Sequence, residues 1–208
     1  LPTELLTDVI KKNPRSAVMV GPSFAKGLME KELTGLTVAT QETELWKEIK
    51  DVVTNEYVTL YRSDDMIGAQ LCAALKNVIA LAVGIVEGAG YSDNTKALLI
   101  TRGLEEINIL VSALGGKSST VYGLAGVGDL ILTSMGSSSR NLNLGRLLGI
   151  GKSIDEIILQ TGCSPESLTT IQSVHYLCTK TNQDLAILKG LTNFIQNKIS
   201  LNQWLTLI

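Results

Sequence analysis

A short α/β segment leading into an all-helical domain is the fold class the sequence predicts, on three observations. Apolar runs of strand length alternate with a helix-like stretch only as far as about residue 62. Beyond that point apolar residues recur at helical spacing almost to the end. One run, residues 66–86 (MIGAQLCAALKNVIALAVGIV), is long enough to form a central helix and carries a single charge, Lys76.

The strands come first. Residues 17–20 (AVMV) end at Gly21-Pro22, and residues 35–39 (GLTVA) and 57–61 (YVTLY) follow, with a helix expected over 43–53 between the last two. This pattern reads as the last part of a sheet, so residues 1–62 form one unit and 63–208 the next. At the join, Ser63, Asp64 and Asp65 put capping chemistry and negative charge at a helix start, and Gly88 with Gly90 marks its end. A second helix opens near Ser92-Asp93, repeats Ala97, Ile100, Leu104, Ile107, Val111 and Leu114, and stops at Gly115-Gly116. A third is expected over 120–134. A serine loop at 137–139 precedes Arg140-Asn141, Ser153 with Glu156 forms a capping box, Ser164-Pro165 opens another helix, and the stretch from Gln183 onward is expected to be helical.

The totals narrow the function. A 45% apolar share and a mean hydropathy of +0.23 support a sizeable core. A net charge of −2 and a pI near 5.5 give no general attraction to nucleic acid, so an anionic ligand must be held by a local set of donors. Residues 66–86 approach the length of a membrane span, but Gln70, Lys76 and Asn77 near the middle are costly in lipid, so a buried core helix is expected and no stable membrane insertion. Cys72, Cys163 and Cys178 are odd in number and scattered, which points to reduced thiols in the cytoplasm. The single His175 excludes a multi-histidine metal site. The chain begins at Leu1 with no signal-like stretch after it and reads as a piece of a longer protein. Symmetric dimers are the commonest soluble oligomers, and a homodimer is the corresponding expectation.

Lys76 is the candidate of greatest interest. An ammonium in an apolar medium bonds a buried acceptor or gives up its proton more readily, and either outcome suits a catalytic group. Its helical neighbours Ala69, Cys72, Ala73, Ala80 and Val83 are small or apolar, so its partner must come from another segment. Asp129, the only acid in GLAGVGDLILT (123–133), is such a partner, and the glycines around it suit close packing better than a phosphate loop. Ser139-Arg140-Asn141 sets a guanidinium, a hydroxyl and an amide at a helix start, which suits a phosphate or carboxylate as well as a plain cap. Gly21-Pro22-Ser23-Phe24-Ala25 follows a strand, where α/β folds place ligands, though a turn needs the same residues.

Taken in order, GPSFAK (21–26), ALKNVIA (74–80), DNTKALLITRG (93–103), GLAGVGDLILT (123–133) and SRN (139–141) closely resemble the bacterial-type NAD(P)-dependent glycerol-3-phosphate dehydrogenase family. The resemblance implies a Rossmann domain for NAD or NADP, of which 1–62 is the C-terminal part. It also implies an all-α substrate-binding domain with the helical architecture of the 6-phosphogluconate dehydrogenase C-terminus. It implies interconversion of dihydroxyacetone phosphate and sn-glycerol 3-phosphate for phospholipid synthesis. Lys76 then matches the family's proton acceptor, with Asp129 beside it. Gly21, Ser23, Ser139, Arg140 and Asn141 match substrate contacts, and Ala25, Arg140 and Glu166 match cofactor contacts. The chain departs from the family in lacking the G-x-G-x-x-G fingerprint and the early strands, in Gly27 and the CSPESL stretch, in having no proline near Ala186, and in its tail LNQWLTLI. Without the early strands the sequence leaves the choice of NAD or NADP open, and this chain alone is expected to be inactive. Competing expectations are a related dehydrogenase of the 6-phosphogluconate or ketopantoate type, and a non-catalytic fragment that binds a ligand or partner.

Overall fold

The computed structural model describes residues 1–10, 14–161 and 166–208, apart from the side chains at 160, 161, 166, 167, 169 and 175. Cys163 and the Ser164-Pro165 helix start therefore lie outside the described residues. Three strands, β1 (Val18–Val20), β2 (Thr34–Ala39) and β3 (Val58–Ser63), form a sheet in that order, with β1 antiparallel to β2 and β2 parallel to β3. Helix α3 (Thr43–Val53) makes the crossover between the parallel strands. It carries Trp46, Ile49 and Val53 at helical spacing onto Leu36, Val38, Val58 and Leu60, which form a small separate core.

All three expected strands are present within two residues of their predicted ends, but two short helices accompany them. Helix α1 (Pro2–Ile10) buries none of its residues, and its link to the body runs through Thr3 and Gln70: Thr3 N donates to Gln70 Oε1 at 3.0 Å, and Gln70 Nε2 donates to Thr3 Oγ1 at 3.0 Å. Helix α2 (Ala25–Met29) follows the GPSF turn. In α1, Leu5, Leu6, Val9 and Ile10 recur at helical spacing but stay exposed, and α2 is only five residues long.

The helical body is built around α4 (Met66–Gly88), which has most of its length inside the main core. By length and composition α4 could cross a membrane, yet 78% of its most apolar window is buried against the rest of the protein. Helix α5 (Asp93–Ala113) lies along it, and α10 (Glu166–Thr181), α11 (Ala186–Ile195) and α12 (Leu201–Leu205) close the far side. The C-terminal stretch is thus two helices. Asn197, with φ of 56°, turns the chain, and a capping box of Ser200 with Gln203 restarts it.

The expected single helix over 120–134 is broken in three: α6 (Ser118–Val121), a π-helical turn (Leu124–Gly128), and α7 (Asp129–Met135). The cause is packing of backbone on backbone, because a Cβ on Gly126 would stand 1.9 Å from Val121 O. The wide turn accommodates that approach and leaves Asp129 at its exit. Beyond α7, α8 (Arg140–Gly149) crosses α4 at very short range. A Cβ on Gly84 would meet Leu142 O at 2.1 Å, one on Gly145 would meet Leu81 O at 2.2 Å, and Gly88 and Gly149 make the same kind of contact one turn on. Helix α9 (Ile154–Thr161) opens at the predicted Ser153 and Glu156 box, where Glu156 N donates to Ser153 Oγ and Ser153 N to Glu156 Oε2.

Candidate active site

Three segments meet at the middle of α4. Lys76 Nζ donates to Asp129 Oδ2, so the buried amine finds its acceptor on a segment 53 residues away. The pair is not solvated: 19% of the lysine side chain and 4% of the aspartate side chain are exposed. Snorkelling to water is therefore not how this lysine is accommodated. Burial pushes the Asp129 carboxyl above its usual range, while the Lys76 charge and the hydrogen bonds from Lys76 and Thr133 pull it back down.

Asp129 is held from behind. Thr133, one turn later on α7, donates its hydroxyl to Asp129 O at 2.6 Å and lies 3.4 Å from Oδ1. The carboxylate thus keeps one oxygen on the lysine and one beside a hydroxyl. In front of the pair lies a cavity of about 270 Å³, whose wall includes Gly21, Ser23, Leu28, Leu36 and Ala73 together with Lys76 and Asp129. Gly21 and Ser23 come from the turn after β1, so the sheet end and the helical body each supply part of the wall.

The second arm of the site is α8. The Ser139 hydroxyl is its N-cap, accepting from Leu142 N at 3.2 Å, and the residue is 3% exposed. Arg140 is the first helical residue and is exposed. Asn141 turns inward, and its Nδ2 donates to Asn77 Oδ1 at 3.0 Å, which joins α8 to the residue next to Lys76. Asn141 Oδ1 is buried and has no hydrogen-bond partner among the described residues. Asn77 also faces a larger cavity of about 780 Å³, walled by Val18, Gln70, Ala73 and Ala74 among others.

The expected residues therefore fall into groups. Lys76, Asp129, Gly21 and Ser23 share one cavity. Ser139, Arg140 and Asn141 lie on α8, joined to α4 through Asn77. Ala25 opens α2 at the surface, and Glu166 begins α10, with its side chain outside the described residues. Two polar residues had not been singled out as contributors: Thr133, which its spacing of four from Asp129 on a helix could have revealed, and Asn77, adjacent to Lys76. Cys72 lies on the same helix, but burial pushes its thiol up to about 12, which makes it a poor nucleophile.

As chemistry, the arrangement is a lysine hydrogen-bonded to a carboxylate at the wall of a small cavity. Such a pair can give a proton to, or take one from, an oxygen placed in the cavity.

A family model for the C-terminus of NAD-dependent glycerol-3-phosphate dehydrogenase matches residues 65–206. The chain is 42% identical over 188 residues to the glycerol-3-phosphate dehydrogenase (NAD(P)+) of Lactobacillus acidophilus, a match covering 89% of this chain and 56% of that protein. It is 38% identical over 203 residues to the Staphylococcus aureus protein of the same name, covering 97% of this chain and 61% of that one. The crystal structure of glycerol-3-phosphate dehydrogenase from Coxiella burnetii superimposes with a TM-score of 0.87 at 34% identity, over 91% of this chain and 58% of that chain. The chain thus spans little more than half the length of the relatives it matches. Matched across its helical body and similar in fold to a solved member, the chain belongs to the NAD-dependent glycerol-3-phosphate dehydrogenase family.

Proposed function

We propose that the chain supplies the substrate-binding and proton-transfer half of an NAD(P)-dependent glycerol-3-phosphate dehydrogenase, which interconverts dihydroxyacetone phosphate and sn-glycerol 3-phosphate in the cytoplasm, as a homodimer. Residues 1–62 are the C-terminal end of its Rossmann domain and 63–208 its substrate domain. The observation that carries the reading is the Lys76 and Asp129 pair at the wall of a cavity small enough for a three-carbon substrate.

Reduction of the ketone develops negative charge on the carbonyl oxygen. In this reading the Lys76 ammonium faces that oxygen, stabilises the charge and hands over a proton; in the oxidative direction the neutral amine takes the alcohol proton. Asp129 fixes the amine, with Thr133 steadying the carboxylate. Asn141, bonded to Asn77 beside Lys76, ties the start of α8 to the pair. Arg140, at the start of α8 with Ser139 as cap, grips the phosphate, and Gly21 and Ser23 line the opposite wall. Holding the phosphate fixes the carbon against the amine.

The residues fit a nicotinamide at one place. The cavity beside Asn77 is largely apolar, which suits a flat aromatic ring, and on the family resemblance Ala25, Arg140 and Glu166 would be further cofactor contacts. When bound, that group supplies the hydride. No G-x-G-x-x-G turn that would cradle the cofactor diphosphate occurs in this sequence.

The test follows NADH and NADPH oxidation by the full-length protein with dihydroxyacetone phosphate, dihydroxyacetone, ketopantoate, and, in the reverse direction, 6-phosphogluconate. Turnover that depends on the phosphorylated triose is expected. Turnover on one of the larger substrates, or on none, overturns the assignment.

A further inference from the structure

Lys76 and Asp129 can meet only if α4 is held firmly against the stretch that runs from α6 through the π turn into α7. One buried carboxylate makes that joint. Asp65, 5% exposed, caps α4 by accepting from Gly68 N at 2.8 Å through Oδ1. Its Oδ2 accepts from Lys117 N at 2.8 Å and from Thr120 Oγ1 at 2.6 Å, both in the segment that opens α6. Backbone touches backbone at the same place, since a Cβ on Gly116 would lie 3.0 Å from Gly68 N.

From this joint each chain direction leads to one member of the pair. Along α4, an unbroken helix carries Lys76 eleven residues on, roughly 16 Å of stiff rod. Along the other direction, Thr120 is followed by Val121, whose carbonyl packs on Gly126, and the π turn then delivers Asp129 as its C-cap. All three groups pointing at Asp65 are donors, so the joint requires two acceptor oxygens. An amide that keeps the Gly68 bond would set its own N–H against the Lys117 N–H and the Thr120 hydroxyl.

We infer that Asp65 is a positioning residue of the site: by clamping the start of α4 to the start of α6 it sets where Lys76 and Asp129 meet, although it does not line the cavity. The inference rests on reading the pair as the acid–base centre, and the two can fail separately.

In the full-length protein, Asp65→Ala, Asp65→Asn and Thr120→Val are compared with wild type, well below the unfolding temperature of each. For Asp65→Ala, kcat per folded molecule is expected to fall by about 10- to 10²-fold, the scale of an ångström-sized misplacement of a catalytic group. Asp65→Asn, which keeps the bond to Gly68, should lose less, Thr120→Val least, and KM for the cofactor should stay in place. A merely structural role lowers the unfolding temperature and leaves kcat unchanged, which overturns the inference. If Asp65→Ala does not fold, Thr120→Val, which removes one hydroxyl, decides on the same readout. If wild type turns over no triose phosphate, the proposed function falls. The positioning role is then read from crystal structures of the variants: a Lys76 to Asp129 hydrogen bond kept as in wild type overturns it, and separation of the two groups supports it.

Discussion

Two regions of the helical body each bury a carboxylate, and they treat it differently. Glu106 on α5, 7% exposed, accepts from Ile187 N at 2.7 Å and Leu188 N at 3.0 Å, capping α11 from across the core. Asp129 on α7, 3% exposed, is bound to Lys76 and Thr133 beside a cavity. Burial pushes both carboxyls up, and their partners pull both back. A raised carboxyl therefore does not by itself mark a site. What separates them is the partner and the opening: Glu106 spends both oxygens on backbone donors, whereas Asp129 is bonded to a lysine side chain at a cavity wall.

The largest effect should come from breaking the pair that faces the cavity. In the full-length protein, Lys76→Ala is expected to lower turnover by roughly 10²- to 10⁴-fold, the range for a general acid–base group. The chain should stay folded, because the small residue leaves Asp129 its Thr133 contacts and an opening to water. Steady-state rates with dihydroxyacetone phosphate check this, and a rate unchanged from wild type removes Lys76 from the mechanism.

The contrast between the two acids was only half visible in the sequence. Lys76 announced itself because a charge in a run of small apolar residues has to be answered from elsewhere, and Asp129 because it was the one acid in its own apolar segment. Glu106 sits beside Glu105 on a helix with mixed faces, so nothing local distinguishes the buried acid from the exposed one. The strands and α3 were legible from period and length. The antiparallel direction of β1, three residues long, was not, since direction is set by pairing partners and not by pattern. The break at 124–128 was missed for a related reason: glycines were read as packing residues, which they are, but the depth of the Gly126 approach that widens the turn depends on where Val121 lies in space.

A smaller effect is expected at the α4 and α8 crossing, which lies outside the cavity wall. Gly84→Ala would place a methyl 2.1 Å from Leu142 O, with backbone on both sides and no flexible side chain to yield. The helices must separate, at a cost of about 1–3 kcal/mol for overpacking. Because Asn141 and Arg140 ride on the start of α8, KM for the phosphorylated substrate should rise more than kcat falls. Urea unfolding and a KM series measure the two parts. An unchanged midpoint would mean the glycines are not required by packing, and a loss confined to kcat would separate α8 from substrate binding.

The smallest effect sharpens the comparison from the Glu106 side. Its carboxyl lies above its ordinary value of 4.5, chiefly through burial, so the folded protein holds that proton more tightly than the unfolded chain does. The contribution of this group to stability is therefore fully present below about pH 4.5 and is lost as pH rises through the folded value. Exposed acids such as Asp64 and Glu156 are shifted down and act with the opposite sign, losing stability as pH falls, so the total alone does not isolate Glu106. Glu106→Gln removes its titration and leaves theirs. The stability difference, wild type minus Gln, should accordingly decrease as pH rises from 4 to 8, while turnover of the folded protein stays level because Glu106 spends its carboxylate on the backbone of α11 and does not line the cavity beside Lys76. A difference that is flat or rises with pH would show that Glu106 titrates near its ordinary value, and a loss of turnover would join the two regions that the structure keeps apart.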